Sequence, residues 1–258
     1  MVKDNEGPGL PGFVRRALIE YPKSKNTADY SGEAEADDGH KYFLKGDKLG
    51  HYIRASEWIG TRLAETVGIA APSCAVIQRM NGELAFGSRK IMGLVNDVET
   101  MNFLMAPTLS NSEGRPVGLS GILSAIYVYD LFIFNDDRHL GNYLSVDDNG
   151  TRRFYAFDFS RAVFWKWPWD GVPPSGNNTR VYGSILFRTH GFDTIFAHSV
   201  LDRLGALTGQ DMQKILDGMP SSWLAPDRRG EFIGWWDGPG KIARVDDIKK
   251  GVKNGTYL

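Results

Sequence analysis

Residues 119–134 are apolar at nearly every position and contain a single charged residue, Asp130. A helix with that pattern has no polar face to offer to water, so protein must enclose it on most sides. At about 16 residues it falls short of the ~20 needed to cross a bilayer. It runs straight into Asn135-Asp136-Asp137-Arg138-His139, so the chain delivers a burst of charge at the edge of its own core. With 258 residues, 42% of them hydrophobic, there is enough material for one large core or for two smaller lobes.

The formal net charge is −1, with 30 basic and 31 acidic residues, which argues against a protein whose main task is coating nucleic acid. Cys74 stands alone, so no internal disulfide and no paired-thiolate zinc site can form, and a reducing compartment is expected. Residues 1–11 are polar and rich in glycine and proline and lack the apolar segment of a secretory signal. The expectation is a cytoplasmic protein that does not engage a membrane. No internal repeat is present, which disfavours solenoids and propellers.

Three hairpins follow from turn chemistry. Residues 33–36 and 41–45 flank Asp37-Asp38-Gly39-His40, residues 73–79 and 83–86 flank Asn81-Gly82, and residues 143–146 and 152–157 flank Asp147-Asp148-Asn149-Gly150. Between the first two, Ile59, Leu63 and Val67 recur at helical spacing after Ser56, and Gly68 sits where a left-handed cap would close the helix. Residues 195–208 and 211–219 read as a helical pair. The first third is strand-rich and the rest mainly helical, which predicts an α+β chain of two lobes. Residues 1–22 form a flexible arm, residues 23–94 the smaller lobe, and residues 95–258 the larger.

The chemistry concentrates in residues 134–146, F-N-D-D-R-H-L-G-N-Y-L-S-V, and residues 155–164, Y-A-F-D-F-S-R-A-V-F. Antiparallel pairing around Asn149-Gly150 brings Asn142 and Asp158 nearly opposite each other at the open end of the hairpin. An amide oxygen and a carboxylate are hard donors that suit Mg²⁺, which completes its shell with water and nucleotide phosphates. Asp137, on the loop leaving the buried helix, stands beside that pair and can accept a proton from an attacking hydroxyl. Taken singly, these residues would be a turn and a solvated helix end; as an ordered set they are the catalytic and metal loops of phosphoryl-transfer enzymes. Likewise Lys45 alone is an edge-strand charge and Glu57 a first-turn acid, whereas together they read as the lysine–glutamate pair that anchors nucleotide phosphates.

The segments Y-F-L-K-G, A-S-E-W-I-G-T-R-L-A-E-T-V-G-I-A-A-P, D-L-F-I-F-N-D-D-R-H-L-G-N-Y-L and F-D-F-S-R-A-V-F, spread over residues 42–164, resemble the HipA-like kinases. More distantly they are similar to phosphatidylinositol kinases, which share the D-R-H-x-x-N order. The resemblance implies a bilobal protein-kinase-like fold that uses ATP and Mg²⁺ and phosphorylates a protein serine or threonine, and it leaves open whether the chain phosphorylates itself. It implies Asp137 as catalytic base, Asn142 and Asp158 as metal ligands, Lys45 and Glu57 as the phosphate anchor, and His139 as a residue that braces the catalytic loop. An antitoxin-like regulator is a partner that the resemblance leaves open, because the chain has no room for the extra N-terminal domain that some HipA proteins carry. No G-x-G-x-x-G lies near Lys45, so residues 23–32 would have to cover the phosphates, with Ser24, Lys25 and Asn26 as candidates. A small-molecule or phosphoinositide kinase, and a silent kinase fold used for interaction, are the alternatives.

Other signals are discounted. The stretch Gly7-Pro8-Gly9-Leu10-Pro11-Gly12 matches G-x-G-x-x-G in form only, because it holds two prolines and neither follows a strand nor opens a helix. His190 and His198 have no thiol or acidic pair beside them in the sequence to complete a metal site. Trp165, Trp167 and Trp169 are expected to pack their own loop.

Overall fold

The computed structural model describes residues 14–23, 30–48, 50–106, 118–149 and 151–258. Five strands, β1 (Val14–Tyr21), β2 (Tyr30–Ala36), β3 (Lys41–Lys45), β4 (Cys74–Gln78) and β5 (Leu84–Arg89), close into a barrel in the order β1-β2-β3-β5-β4. Four of the pairings are antiparallel; β1 and β4 run parallel, with Val14 opposite Val76, and complete the closure. Side chains alternate between the two faces of each strand. One set, including Ala34, Ala36, Ala75, Ala85, Leu44 and Ile77, fills the bore, and its many alanines suit a narrow barrel. The other set, including Val76 and Phe86, packs against α1 (Ile53–Thr66) through Ile59 and Leu63.

Two expectations need correction here. Residues 14–21, assigned to an N-terminal arm, are a barrel strand. The sequence V-R-R-A-L-I-E-Y has no buried face of its own, so its strand state comes from pairing on both sides rather than from hydrophobic alternation. Helix α1 starts at Ile53, three residues before Ser56, and Glu57 therefore lies in its second turn. The orphan first-turn N–H of Arg54 is met by Asp47 Oδ1 at 2.8 Å, while Ser56 is buried and its Oγ accepts from the backbone N of Phe164.

The larger lobe is built around α3 (Leu119–Phe132), where Leu123, Val128, Tyr129, Leu131 and Phe132 are all buried. Around it lie α2 (Asp97–Met105), the hairpin β6 (Tyr143–Asp148) and β7 (Thr151–Ala156), then α4 (Asn178–His190), α5 (Thr194–Ala206), α6 (Gly209–Asp217), α7 (Pro226–Asp237) and α8 (Pro239–Lys253). Asp147 and Asp148 lie in β6 opposite Arg152 and Thr151, so the third turn is two residues shorter than expected. The C-terminal end of α3 is capped from a distance: Arg244 of α8 donates to the carbonyls of Leu131 and Phe132, both at 2.7 Å, and to Gly171 at 2.5 Å. A cation there meets the negative end of the helix dipole, although burial pulls its pKa down to about 10. Trp167 and Trp169 pack edge-on against Phe232 and Trp235 of α7, so these two rings do hold their loop. Among the described residues no helix is long and apolar enough to cross a membrane.

Glu20 on β1 ties the barrel seam. Its carboxylate accepts from Arg79 Nη2 at 2.8 Å and from the backbone N of Met80 at 2.7 Å. The Arg79 hydrogen bond, partly opposed by burial, lowers its pKa. A lowered carboxylate pKa contributes stability that is present above the unfolded value of about 4.3 and lost as pH falls through the folded value. In urea titrations across that range, Glu20→Gln is expected to flatten the acid limb of stability against pH, and an unchanged limb would contradict the seam's role.

Candidate active site at the lobe junction

Strand β3 ends on Lys45, which is 9% exposed and faces α1. Its Nζ donates to Glu57 of α1 and, at 2.8 Å, to Asp158 Oδ1, which lies two residues past the end of β7. One ammonium thus joins both lobes. Asp158 adopts a left-handed φ of +64°, a conformation that Asp tolerates better than most residues. Ser160 Oγ donates to the same Oδ1 at 2.7 Å. Burial alone would raise the Asp158 pKa, but the Lys45 charge and these two hydrogen bonds hold it well below the usual carboxylate range. Burial raises Glu57 against the pull of Lys45, while Lys45 itself is raised by its two acids despite its burial. The close approach of α1 depends on Gly60, where a Cβ would stand 2.6 Å from Cβ of Phe159.

The loop after α3 is organised by Arg138, which is 2% exposed. Its guanidinium grips Asp130 of α3 through Nε at 2.8 Å and Nη2 at 3.0 Å, while Nη1 donates to the carbonyls of Asn142, at 2.8 Å, and Phe157. Asn135 adds a bond from Nδ2 to Asp130, and Thr179 Oγ1 donates to the Asn135 carbonyl while accepting from the backbone N of Arg138. The start of β6 and the end of β7 are therefore pinned to the central helix by one side chain. The register places Tyr143 opposite Ala156, so Asn142 faces Phe157 and Asp158 comes one residue later.

On that frame Asp137 and Asn142 are adjacent, with Asn142 Nδ2 donating to the Asp137 carbonyl at 2.9 Å. The Asp137 carboxylate lies between two partners: Asn178 Nδ2, at the start of α4, is 2.5 Å from Oδ1, and Arg161 Nε is 3.4 Å from Oδ2. Arg161 lies over Trp165, which stacks on His51 at 3.8 Å. His139 accepts from the backbone N of Gly141 through Nδ1, at 3.1 Å, which places the proton of the neutral ring on Nε2. Burial raises the pKa of Asp136 next door, partly offset by Arg161.

The oxygens fit a hard divalent cation. Asn142 uses its amide N–H inward, and its Oδ1 makes no hydrogen bond among the described residues. Both donors to Asp158 converge on Oδ1, and Oδ2 makes no hydrogen bond among the described residues. Among the described residues no three His, Cys, Asp or Glu side chains converge as metal ligands. One carboxylate and one amide oxygen match the sparse protein coordination of Mg²⁺ beside phosphates.

The structure thus brings Lys45, Glu57 and Asp158 together, and places Asp137, His139 and Asn142 on the adjoining loop. Ser24, Lys25 and Asn26 lie outside the described residues. Asp130, Arg138, Ser160, Arg161 and Asn178 join the site without a role expected from the sequence. The lone charge in the apolar run and the arginine eight residues later were a readable signal, since a charge in so apolar a helix demands a partner. Asn178 carries no such signal, because its contact with Asp137 spans 41 residues.

A family model described as HipA-like kinase matches residues 26–232. Among solved structures, the proinflammatory kinase CtkA of Helicobacter pylori is similar, with a TM-score of 0.57 and 13% identity over 90% of this chain and 95% of that one. HipA of Shewanella oneidensis, in a toxin–antitoxin complex with HipB and operator DNA, aligns with a TM-score of 0.48 and 12% identity over 97% of this chain and 67% of that one. No curated protein matches the chain. The likeness to CtkA establishes a shared fold: a strand-rich N-terminal part followed by a helical C-terminal part.

Removing Arg138 leaves Asp130 buried without its partner. Arg138→Met is expected to destabilise the fold by about 3–5 kcal/mol in chemical denaturation. The double variant Asp130→Leu/Arg138→Met should recover part of that loss, and a double variant no more stable than the single one would mean that the ion pair is not what holds the loop.

Proposed function

The chain belongs to the HipA-like kinase family, and from that premise we propose that it is an ATP- and Mg²⁺-dependent kinase that phosphorylates serine or threonine on a protein. The observation that carries the reading is the Lys45 ammonium held by Glu57 and Asp158, next to a loop that presents Asp137 and Asn142. A divalent ion bound to Asn142 Oδ1 and Asp158 Oδ2 would neutralise charge on the nucleotide's terminal phosphates. Lys45, freed from Asp158 by that exchange and still tethered to Glu57, anchors the phosphates. Asp137 takes the acceptor's hydroxyl proton as the new O–P bond forms and the bond to the leaving ADP oxygen breaks. To do so it exchanges its weaker partner, Arg161, for the acceptor and keeps Asn178. His139, with Nδ1 occupied, offers Nε2–H as a donor to a phosphoryl oxygen.

Positioning and charge neutralisation supply most of the rate in such a reaction. All the polar groups that the chemistry requires are present, which supports a working enzyme over a silent module. A lipid or small-molecule acceptor is the alternative.

Asp137→Asn is expected to slow transfer from γ-labelled ATP to a serine/threonine peptide library by about 10²–10⁴-fold while nucleotide still raises the melting temperature. Asp158→Ala should remove the Mg²⁺-dependent part of that rise, and intact-mass measurement will register any phosphate placed on the chain itself. Transfer by Asp137→Asn at the wild-type rate would overturn the assignment of the base.

A further inference from the structure

The first turn of α4 belongs to the active site, because Asn178 touches Asp137 and the Tyr182 ring lies 6.4 Å from that of His139. From there the helix leads away along one exposed strip. Asn178, Val181, Ile185 and Arg188 follow the i, i+3, i+7, i+10 spacing that keeps residues on one helical face. Val181 is 41% exposed. A groove of about 350 Å³ lies along this strip, lined by Arg180, Val181, Ser184, Ile185 and Arg188 and walled by Leu258; Arg180 donates to the Thr256 carbonyl at 2.9 Å and lies over the Tyr257 ring. Arg188 is exposed and forms no ion pair among the described residues.

We propose that this groove binds the acceptor polypeptide, and that it selects a segment with an apolar side chain near the phosphorylated hydroxyl and an acidic residue four or five positions away. The inference rests on the kinase reading and adds to it a substrate class. The spacing follows from geometry: ten helical residues separate Asn178 from Arg188, a rise of about 15 Å, and an extended peptide covers that distance in four to five residues. Val181 and Ile185 occupy the intervening length and meet the apolar side chain. Arg188 meets the carboxylate at the far end, where a guanidinium can hold it through two hydrogen bonds.

A positional-scanning peptide library with one fixed serine, γ-labelled ATP and Mg²⁺ tests the proposal. Wild type is expected to favour Glu over Lys about three- to fivefold at four or five residues from the serine, the range for a rim ion pair. Arg188→Ala should erase the preference and Arg188→Glu reverse it, with the nucleotide-dependent rise in melting temperature kept in both. A Glu preference that survives Arg188→Glu, or no preference at those positions in wild type, overturns the groove assignment and leaves the kinase reading standing. A wild type that ATP stabilises but that labels no peptide also overturns the groove. Failure of ATP and Mg²⁺ to stabilise the protein at all would remove the kinase reading, and the groove with it.

Discussion

The buried ion pair between Asp130 and Arg138 is the interaction on which the site depends. Two charges withdrawn from water at the end of the central helix would be a liability if each were alone. Here both charges are held: Asp130 takes Arg138 and Asn135, and Arg138 directs Nη1 to the carbonyls of Asn142 and Phe157. The strands of a two-stranded hairpin would otherwise be free to splay at their open end. Arg138 closes that end and fixes the backbone immediately before Asp158 and at Asn142. Two oxygen donors separated by 16 positions in the chain thus receive a common support.

A second constraint links the lobes. Lys45 leaves the barrel, Glu57 rides on α1, and Asp158 belongs to the hairpin lobe, so their shared ammonium reports on the relative position of all three. The contact between α1 and Phe159, made at Gly60, holds the helix close enough for Glu57 to reach. Nucleotide phosphates would compete with Asp158 for the lysine while a cation competes for the carboxylate. The resting triad therefore stores the same charges that substrate binding would rearrange.

Much of this was legible in the residues. The three turn signals gave the hairpins, the apolar run gave the central helix, and spacing alone put Asn142 and Asp158 at one end of a ribbon. The start of α1 is not marked in the sequence, because Asp47, which lies outside the helix, meets its first-turn N–H group. Strand β1 is illegible in the sequence because its burial is intermediate or exposed throughout, and only its two neighbours make it a strand. The partners of Asp137 were invisible for a similar reason. Asn178 and Arg161 reach it through tertiary contacts that no local pattern encodes, and neither residue type announces such a role.

One shared cation would join Asn142 to Asp158. Crystals grown with Mn²⁺ and a non-hydrolysable ATP analogue, measured at the manganese absorption edge, locate that ion directly. The anomalous peak is expected within bonding distance of both Asn142 Oδ1 and Asp158 Oδ2, with the analogue's terminal phosphates completing its shell. A peak bound to the nucleotide but touching neither side chain would contradict the account.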